Sequence, residues 1–245
     1  MRIKATLSYD GSRYYGFQIQ KKEKEISIQG ELNKVLNRIF NNSIKIYGAG
    51  RTDKGVHALG QVFHFDISFD NYDLDKLRYS MNMMLPKDIN IISLEKVNED
   101  FHARYSARKK WYQYRVSLKD NPFFIRYALI YHYKLNLDLM EKGLNIFLGK
   151  HNFINFCSIR EFDTNFEETI YSFHLKQEND MLIFDIVGSG FKRYMVRQII
   201  ATILMLGREK INLDYIIDHL KEGYIDSVPY KVDPQGLYLM EVFYD

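Results

Sequence analysis

The chain has 245 residues, of which 46% are hydrophobic and 15% aromatic, and its formal net charge is +3. That apolar content excludes a disordered chain and points to a packed core, in one large domain or two of roughly 100–130 residues. So slight a charge neither marks nor excludes a nucleic-acid binder, so local clustering of basic residues must decide.

Residues 2–9 alternate strictly, with Ile3, Ala5, Leu7 and Tyr9 on one face, which predicts a half-buried strand. Leu32, Val35, Leu36, Ile39 and Phe40 recur at helical spacing over residues 28–41. Ile44 to Tyr47 reads as a short strand ending in Gly48-Ala49-Gly50. Phe63, Phe65 and Ile67 alternate again, residues 73–84 read as a helix capped by Asp73, and Ile89 to Val97 is a further strand. The order is β-α-β-β-α-β, the ferredoxin-like unit.

The second half repeats that pattern without residue-level similarity. A strand at 111–118 precedes a helix at 138–148, with Asp138 as cap, Glu141 three residues on and Gly149 as a stop. Strands at 169–178 and 181–188 meet in a hairpin at Asn179-Asp180. Helices at 191–207 and 213–221 follow, and Leu237 to Phe243 closes a sheet. The fold class expected is α+β: two ferredoxin-like, RRM-like halves, each an antiparallel sheet flanked by helices. No Pro/Gly-rich linker divides them, and the boundary is expected between a domain at 1–104 and one at 105–245.

Cys157 is the single cysteine, so no intrachain disulfide or Cys-rich metal site is expected, and a reducing compartment suits the chain. No signal-peptide apolar region opens the sequence, and the run Ile199 to Leu206 is too short to span a bilayer. The expectation is a cytoplasmic protein without a membrane partner.

The segment Gly48-Ala49-Gly50-Arg51-Thr52-Asp53-Lys54-Gly55-Val56-His57-Ala58 carries the most chemistry. Its glycines let the backbone turn tightly and approach a ligand. Asp53 between Arg51 and Lys54 is expected to stay ionised, since nearby cations favour the charged form, and so to serve as nucleophile or base. The same residues also suit a basic turn in which Asp53 merely caps the backbone.

GAGRTDKGVHALGQ resembles the catalytic loop of the tRNA pseudouridine(38–40) synthase family, of the bacterial A type. Tyr9-Asp10-Gly11-Ser12-Arg13-Tyr14-Tyr15-Gly16-Phe17-Gln18-Ile19-Gln20 is similar to its N-terminal strand and loop, and Ser27-Ile28-Gln29-Gly30-Glu31-Leu32 to the start of its first helix. Phe101-His102-Ala103-Arg104-Tyr105-Ser106-Ala107 with Trp111-Tyr112-Gln113-Tyr114 resembles its domain crossover. Gly190 to Arg197 and Gly236-Leu237-Tyr238-Leu239 resemble its C-terminal blocks. The blocks follow the family's order along the whole chain.

That resemblance implies isomerisation of uridine to pseudouridine in the anticodon arm of tRNA, in an active-site cleft between the halves. It makes Asp53 the catalytic carboxylate, Tyr112 the residue that stacks on the target base, and Arg197 the partner of the carboxylate. Arg51 would assist extrusion of the base, and members act as homodimers on tRNA. The chemistry suits a carboxylate, because the N1–C1′ bond breaks beside an oxocarbenium-like carbon before C5–C1′ forms. A stacked uridine is out of reach until it is flipped out and held by an aromatic ring. No metal or organic cofactor is required.

Basic and aromatic residues interleave between Ala103 and Leu118: Arg104, Arg108, Lys109, Lys110 and Arg115 stand among Tyr105, Trp111, Tyr112 and Tyr114, with no acid. That pattern suits a phosphate-tracking, base-stacking strand, with Trp111 expected in the core and Tyr112 facing the site. Lys192 and Arg193 extend the basic surface, although Arg197 on an amphipathic helix also fits a plain surface charge. His57 is expected to make structural hydrogen bonds. Gly48-x-Gly50 lacks the third glycine of a dinucleotide loop, and the histidines show no zinc-ligand spacing. Lys192-Arg193-Tyr194 stands where the family often has Leu and His, Phe17 where Trp is common, and the approach to Gly236 matches only loosely. The main rival reading is a non-catalytic RNA-binding protein with two RRM-like halves, against which no strand carries an RNP1-type pattern; a second is a synthase of the same fold acting on different uridines or another RNA.

Overall fold

The computed structural model describes residues 1–20, 25–69, 71–159, 165–221 and 226–245. Its contacts divide into two compact units, Met1–Arg108 with Tyr238–Asp245, and Lys109–Leu237. The division falls four residues after the boundary read from the sequence, and the last strand clusters with the first unit. In chain order the first unit holds β1 (Arg2–Tyr9), α1 (Ile28–Phe40), β2 (Tyr47–Gly48), β3 (His57–Asp66), α2 (Leu74–Met84) and β4 (Ile89–Val97). The second holds β5 (Lys109–Ser117), β6 (Leu129–Ile130), α3 (Leu137–Ile146), β7 (Gly149–Asn152), β8 (Glu167–Glu178), β9 (Met181–Gly188), α4 (Met195–Gly207) and α5 (Leu213–Leu220). Strand β10 (Leu237–Phe243) ends the chain. Both units are sheet-and-helix layers of the α+β class.

In the first unit β1 lies between β4 and β3, antiparallel to both, from Arg2 opposite Val97 and Asp66 to Tyr9 opposite Ile89 and Ala58. The outer edge of β3 is shared: β2 pairs antiparallel at Phe63 and His64, and β10 pairs parallel at His57 and Ala58. This is the ferredoxin-like order β4-β1-β3-β2, extended by β10. Alternate burial of Ile3, Ala5, Leu7 and Tyr9 follows the period-2 pattern of β1. β3 departs from alternation and is buried at all positions but Leu59 and Asp66, as a strand covered on both faces must be. The Ser27 hydroxyl accepts the Gly30 N–H at 3.2 Å and starts α1, a cap whose removal costs about 1 kcal/mol. Asp73 caps α2 likewise, accepting the Lys76 N–H at 3.0 Å.

The strand expected over Ile44 to Tyr47 shrinks to Tyr47–Gly48, because side chains take its backbone groups. Asn37 accepts the Ile44 N–H at 2.8 Å, and Gln29 donates to the Ile46 carbonyl at 2.9 Å. Ile44 and Ile46 are buried nonetheless.

In the second unit the order β5-β9-β8-β7 is antiparallel, with β6 pairing parallel to β5 at Val116 and Ser117. β8 and β9 join at Asn179, which takes φ +53° as the expected tight hairpin demands. Helix α3 is capped by Asn136 and not by Asp138, which sits in its first turn; Asn136 accepts the Leu139 N–H at 3.1 Å. Helix α4 begins at Met195 and not at 191, since Tyr194 at φ +65° cannot continue a right-handed helix. α4 is buried almost all round and packs on α3 at Gly143, where an added Cβ would lie 2.4 Å from Leu206 Cδ2.

Candidate active site

Asp53 sits on the loop between β2 and β3, and the backbone on either side of it is tied to the segment that follows β1. Phe17 N–H donates to the Thr52 carbonyl at 3.2 Å, and Gly55 N–H to the Tyr14 carbonyl at 3.2 Å. Within the loop Val56 N–H donates to the Asp53 carbonyl at 3.2 Å, closing a turn in which Gly55 takes φ +80°. Gly16 explains the close approach: it holds φ +95°, and a Cβ there would lie 2.4 Å from the Thr52 carbonyl oxygen. The two motifs, far apart in sequence, are two sides of one clamp.

Beneath the loop lies a buried polar platform. The Tyr9 hydroxyl is 2.8 Å from the Thr52 hydroxyl, and Gln61 Nε2 reaches the Gly50 carbonyl at 3.3 Å and the Tyr9 oxygen at 3.5 Å. Gln61 is fully buried and Thr52 nearly so. Burial pushes the Tyr9 phenol up to about 12, against the lowering effect of its bonds to Thr52 and Gln61, so it stays a neutral hydrogen-bonding group. Tyr14 is anchored in turn, its hydroxyl donating to Asp88 Oδ1 at 2.6 Å. The sequence reading missed Thr52 and Gln61; the available signal was a Gln between the apolar residues Leu59 and Val62 of β3.

His57 is buried, accepts the Gly11 N–H on Nδ1 at 3.1 Å and stacks on Tyr238 at 4.7 Å between ring centres. The same nitrogen lies 3.2 Å from Asp10 Oδ1. Since it accepts from the backbone, the ring is held as a structural strut. Asp53 is half-buried, while Arg51 and Lys54 are exposed. Lys54 places its ammonium 4.0 Å over the Tyr15 ring.

Arg104 and Arg108 also belong to the first unit and are exposed. Arg104 lies 5.7 Å from the Tyr105 ring centre. Nearby His64 accepts the Ala103 N–H on Nδ1 at 3.1 Å. Burial, then the charges of His102 and Arg2, lower its pKa to about 4.

The remaining candidates lie in the second unit. On β5, Tyr112, Tyr114 and Val116 share the buried face, and Tyr112 meets Phe191 edge-on at 5.2 Å. Trp111 is not the core residue expected. It lies half-buried on the opposite face with Gln113 and Arg115, and donates through Nε1 to Asp185 Oδ1 at 2.8 Å. Asp185 comes from the neighbouring β9, so this face carries an acid that no stretch of the β5 sequence contains. Arg115 donates to Gln113 at 2.7 Å, Lys109 is exposed with its ammonium 5.3 Å over Tyr171, and Lys110 is half-buried.

Arg197 is not a surface charge. It lies in the first turn of α4 at 7% exposure and donates through Nε to the Val232 carbonyl at 2.7 Å. Lys192 pairs with Glu168 at 2.9 Å, whereas Arg193 is exposed and donates to the Tyr194 hydroxyl at 2.6 Å. The structure thus groups Arg51 with Asp53 on one loop, and Arg193 with Arg197 around Tyr194. Among the described residues no three of His, Cys, Asp and Glu are placed to hold a metal ion, and no helix is long and apolar enough to cross a membrane.

The sequence pattern of the tRNA pseudouridine synthase family matches residues 5–106 and 144–245, a span that includes the glycine-clamped loop carrying Arg51 and Asp53. The chain belongs to that family. Two relatives bearing the name tRNA pseudouridine synthase A make the match specific. One, from Geobacillus sp. (strain WCH70), is 38% identical over 247 residues, covering 100% of this chain and 98% of its own. The other, from Dictyoglomus thermophilum, is 39% identical over 244 residues, covering 98% of each. A chain of a solved Cbf5-Nop10-Gar1 complex aligns with TM-score 0.36 at 12% identity, over 82% of this chain and 45% of that one, too distant to bear on the site.

Proposed function

We propose that the protein isomerises uridine to pseudouridine in tRNA, in the anticodon stem-loop at positions 38–40, with Asp53 as the catalytic carboxylate. The observation that carries this reading is the clamp: Thr52 and Gly55, on either side of Asp53, are hydrogen-bonded to the Tyr14–Phe17 segment. Electrostatic and covalent catalysis both require a carboxylate held in place before substrate arrives. Full-length relatives named tRNA pseudouridine synthase A support the reaction class.

In this reading the target uridine is flipped out of the RNA. Its N1–C1′ bond breaks, the base turns while bound, C5 bonds to C1′, and the C5 proton leaves to solvent while N1 gains one. The product is an isomer, so neither redox partner nor group donor enters the balance. Asp53 acts on the detached base or on the sugar; Tyr112 and Arg197 carry the roles that the family resemblance gives them. Arg51, Arg104, Arg108, Lys109, Lys110, Arg115, Lys192 and Arg193 are proposed as RNA contacts, with Lys192 shared with Glu168. A homodimer is part of the proposal, supported by an apolar surface in the second unit where Phe123 is 83% and Ile125 61% exposed. A cytoplasmic location accords with the substrate. Mapping pseudouridines in tRNA after incubation with purified protein tests the function: new pseudouridine at positions 38–40 supports it, and none anywhere refutes it.

A further inference from the structure

Positive charge in the second unit converges on one ring. Around the centre of Tyr194 lie Lys231 Nζ at 4.1 Å, the Arg193 guanidinium carbon at 4.5 Å and that of Arg197 at 5.2 Å. The ring face attracts each cation, but the cations repel one another. The arrangement is built into the backbone. Tyr194 holds φ +65°, which a bulky residue keeps only where its surroundings determine it. The Arg193 carbonyl accepts the Ser158 N–H at 2.9 Å, and that of Tyr194 accepts the Gln198 N–H at 2.9 Å. Lys231 is fastened through its neighbour: Arg197 Nε donates to the Val232 carbonyl at 2.7 Å, and Val232 N–H donates to the Arg197 carbonyl at 3.3 Å. Arg193 and Lys231 are exposed and Tyr194 half-exposed, so the cluster faces solvent.

We propose that Arg193, Tyr194 and Lys231 form a phosphate cradle that grips a backbone phosphodiester of the RNA substrate. An anion among these groups turns their mutual repulsion into attraction. A phosphodiester matches the fork of Arg193 and the point charge of Lys231, with the Tyr194 ring holding both in register. The cradle rests on the reading of the protein as a tRNA enzyme and adds to it. Arg193 and Tyr194 belong to the stretch that departs from the family pattern, and Lys231 to the loosely matched approach to Gly236.

The test is tRNA affinity of the full-length protein across a series of salt concentrations. Each lost phosphate contact lowers the slope of log K against log salt by about 0.7–0.9. The Lys231→Met, Arg193→Gln double variant is expected to lose between one and two such steps and to bind several-fold more weakly. Tyr194→Phe removes the hydroxyl that accepts from Arg193 but keeps the ring under both cations, and with it most of the slope, whereas Tyr194→Leu, which disperses the cations, loses slope like the double variant. Both side chains in the double variant are exposed, so it stays informative should Tyr194→Leu fail to fold. An unchanged slope in the double variant, with wild type binding tRNA steeply, overturns the cradle and leaves the enzyme reading intact. A wild type that makes no pseudouridine and binds tRNA without salt dependence overturns both.

Discussion

The hydroxyl of Tyr9 lies 2.8 Å from that of Thr52, the residue that precedes Asp53, so the strand beneath the loop touches the neighbour of the proposed catalytic carboxylate. Tyr9→Phe removes that contact and leaves the ring packed. It is expected to lower kcat several-fold with KM within twofold and little change in thermal stability. Thr52→Ser retains the hydroxyl and should stay near wild type, whereas Thr52→Val should behave like Tyr9→Phe. Equal activity for Ser and Val at position 52 would show that the platform does not position the loop.

Gly16→Ala faces two penalties, a φ of +95° and a Cβ 2.4 Å from the Thr52 carbonyl. Gly149→Ala faces only the first, since φ is +94° but the nearest atom lies 3.9 Å away. Both variants should lose about 1–3 kcal/mol of stability in urea unfolding. Only Gly16→Ala should lose activity, by more than tenfold. A Gly16→Ala enzyme of full kcat would mean that the clamp does not govern Asp53.

Acid should weaken the fold through His64, whose pKa falls from 6.5 to about 4 mainly because it is buried. A group depressed in the folded state contributes stability that is complete above pH 6.5 and lost as pH falls toward 4. The loss is at most about 3 kcal/mol. His64→Gln, which can still accept the Ala103 N–H, should flatten the dependence of Tm on pH in that window. An unaltered pH profile would assign acid sensitivity elsewhere.

The apolar surface at Phe123 and Ile125 gives the proposed dimer a direct check. Phe123→Glu with Ile125→Glu should convert a dimer to a monomer in light scattering without unfolding it. A wild type that is monomeric at micromolar concentration contradicts the dimer.

Elements whose signal is local were legible in the sequence. The alternation of β1, the Asp73 cap and the turn at Asn179 each follow from a few adjacent residues, and the structure carries all of them. Features that depend on what lies across a sheet were not. Trp111 carries the sequence signal of a core residue, and its own strand cannot reveal Asp185 on β9. Ile44 and Ile46 carry strand chemistry, yet Asn37 and Gln29 from α1 take their backbone groups. The Asp53 loop stood out by its glycines and charges, but the reason for Gly16 appears only when the Thr52 carbonyl comes beside it. For Arg197 the sequence allows both a partner of the carboxylate and a plain surface charge, and burial against the Val232 carbonyl excludes the second.

The most direct test is tritium release from tRNA carrying [5-³H]uridine by wild type and by Asp53→Asn, with tRNA affinity measured in parallel. Wild type without added metal or nucleotide should release tritium, and Asp53→Asn should release none while binding tRNA within several-fold of wild type. Sustained release by Asp53→Asn would contradict the assignment of the carboxylate.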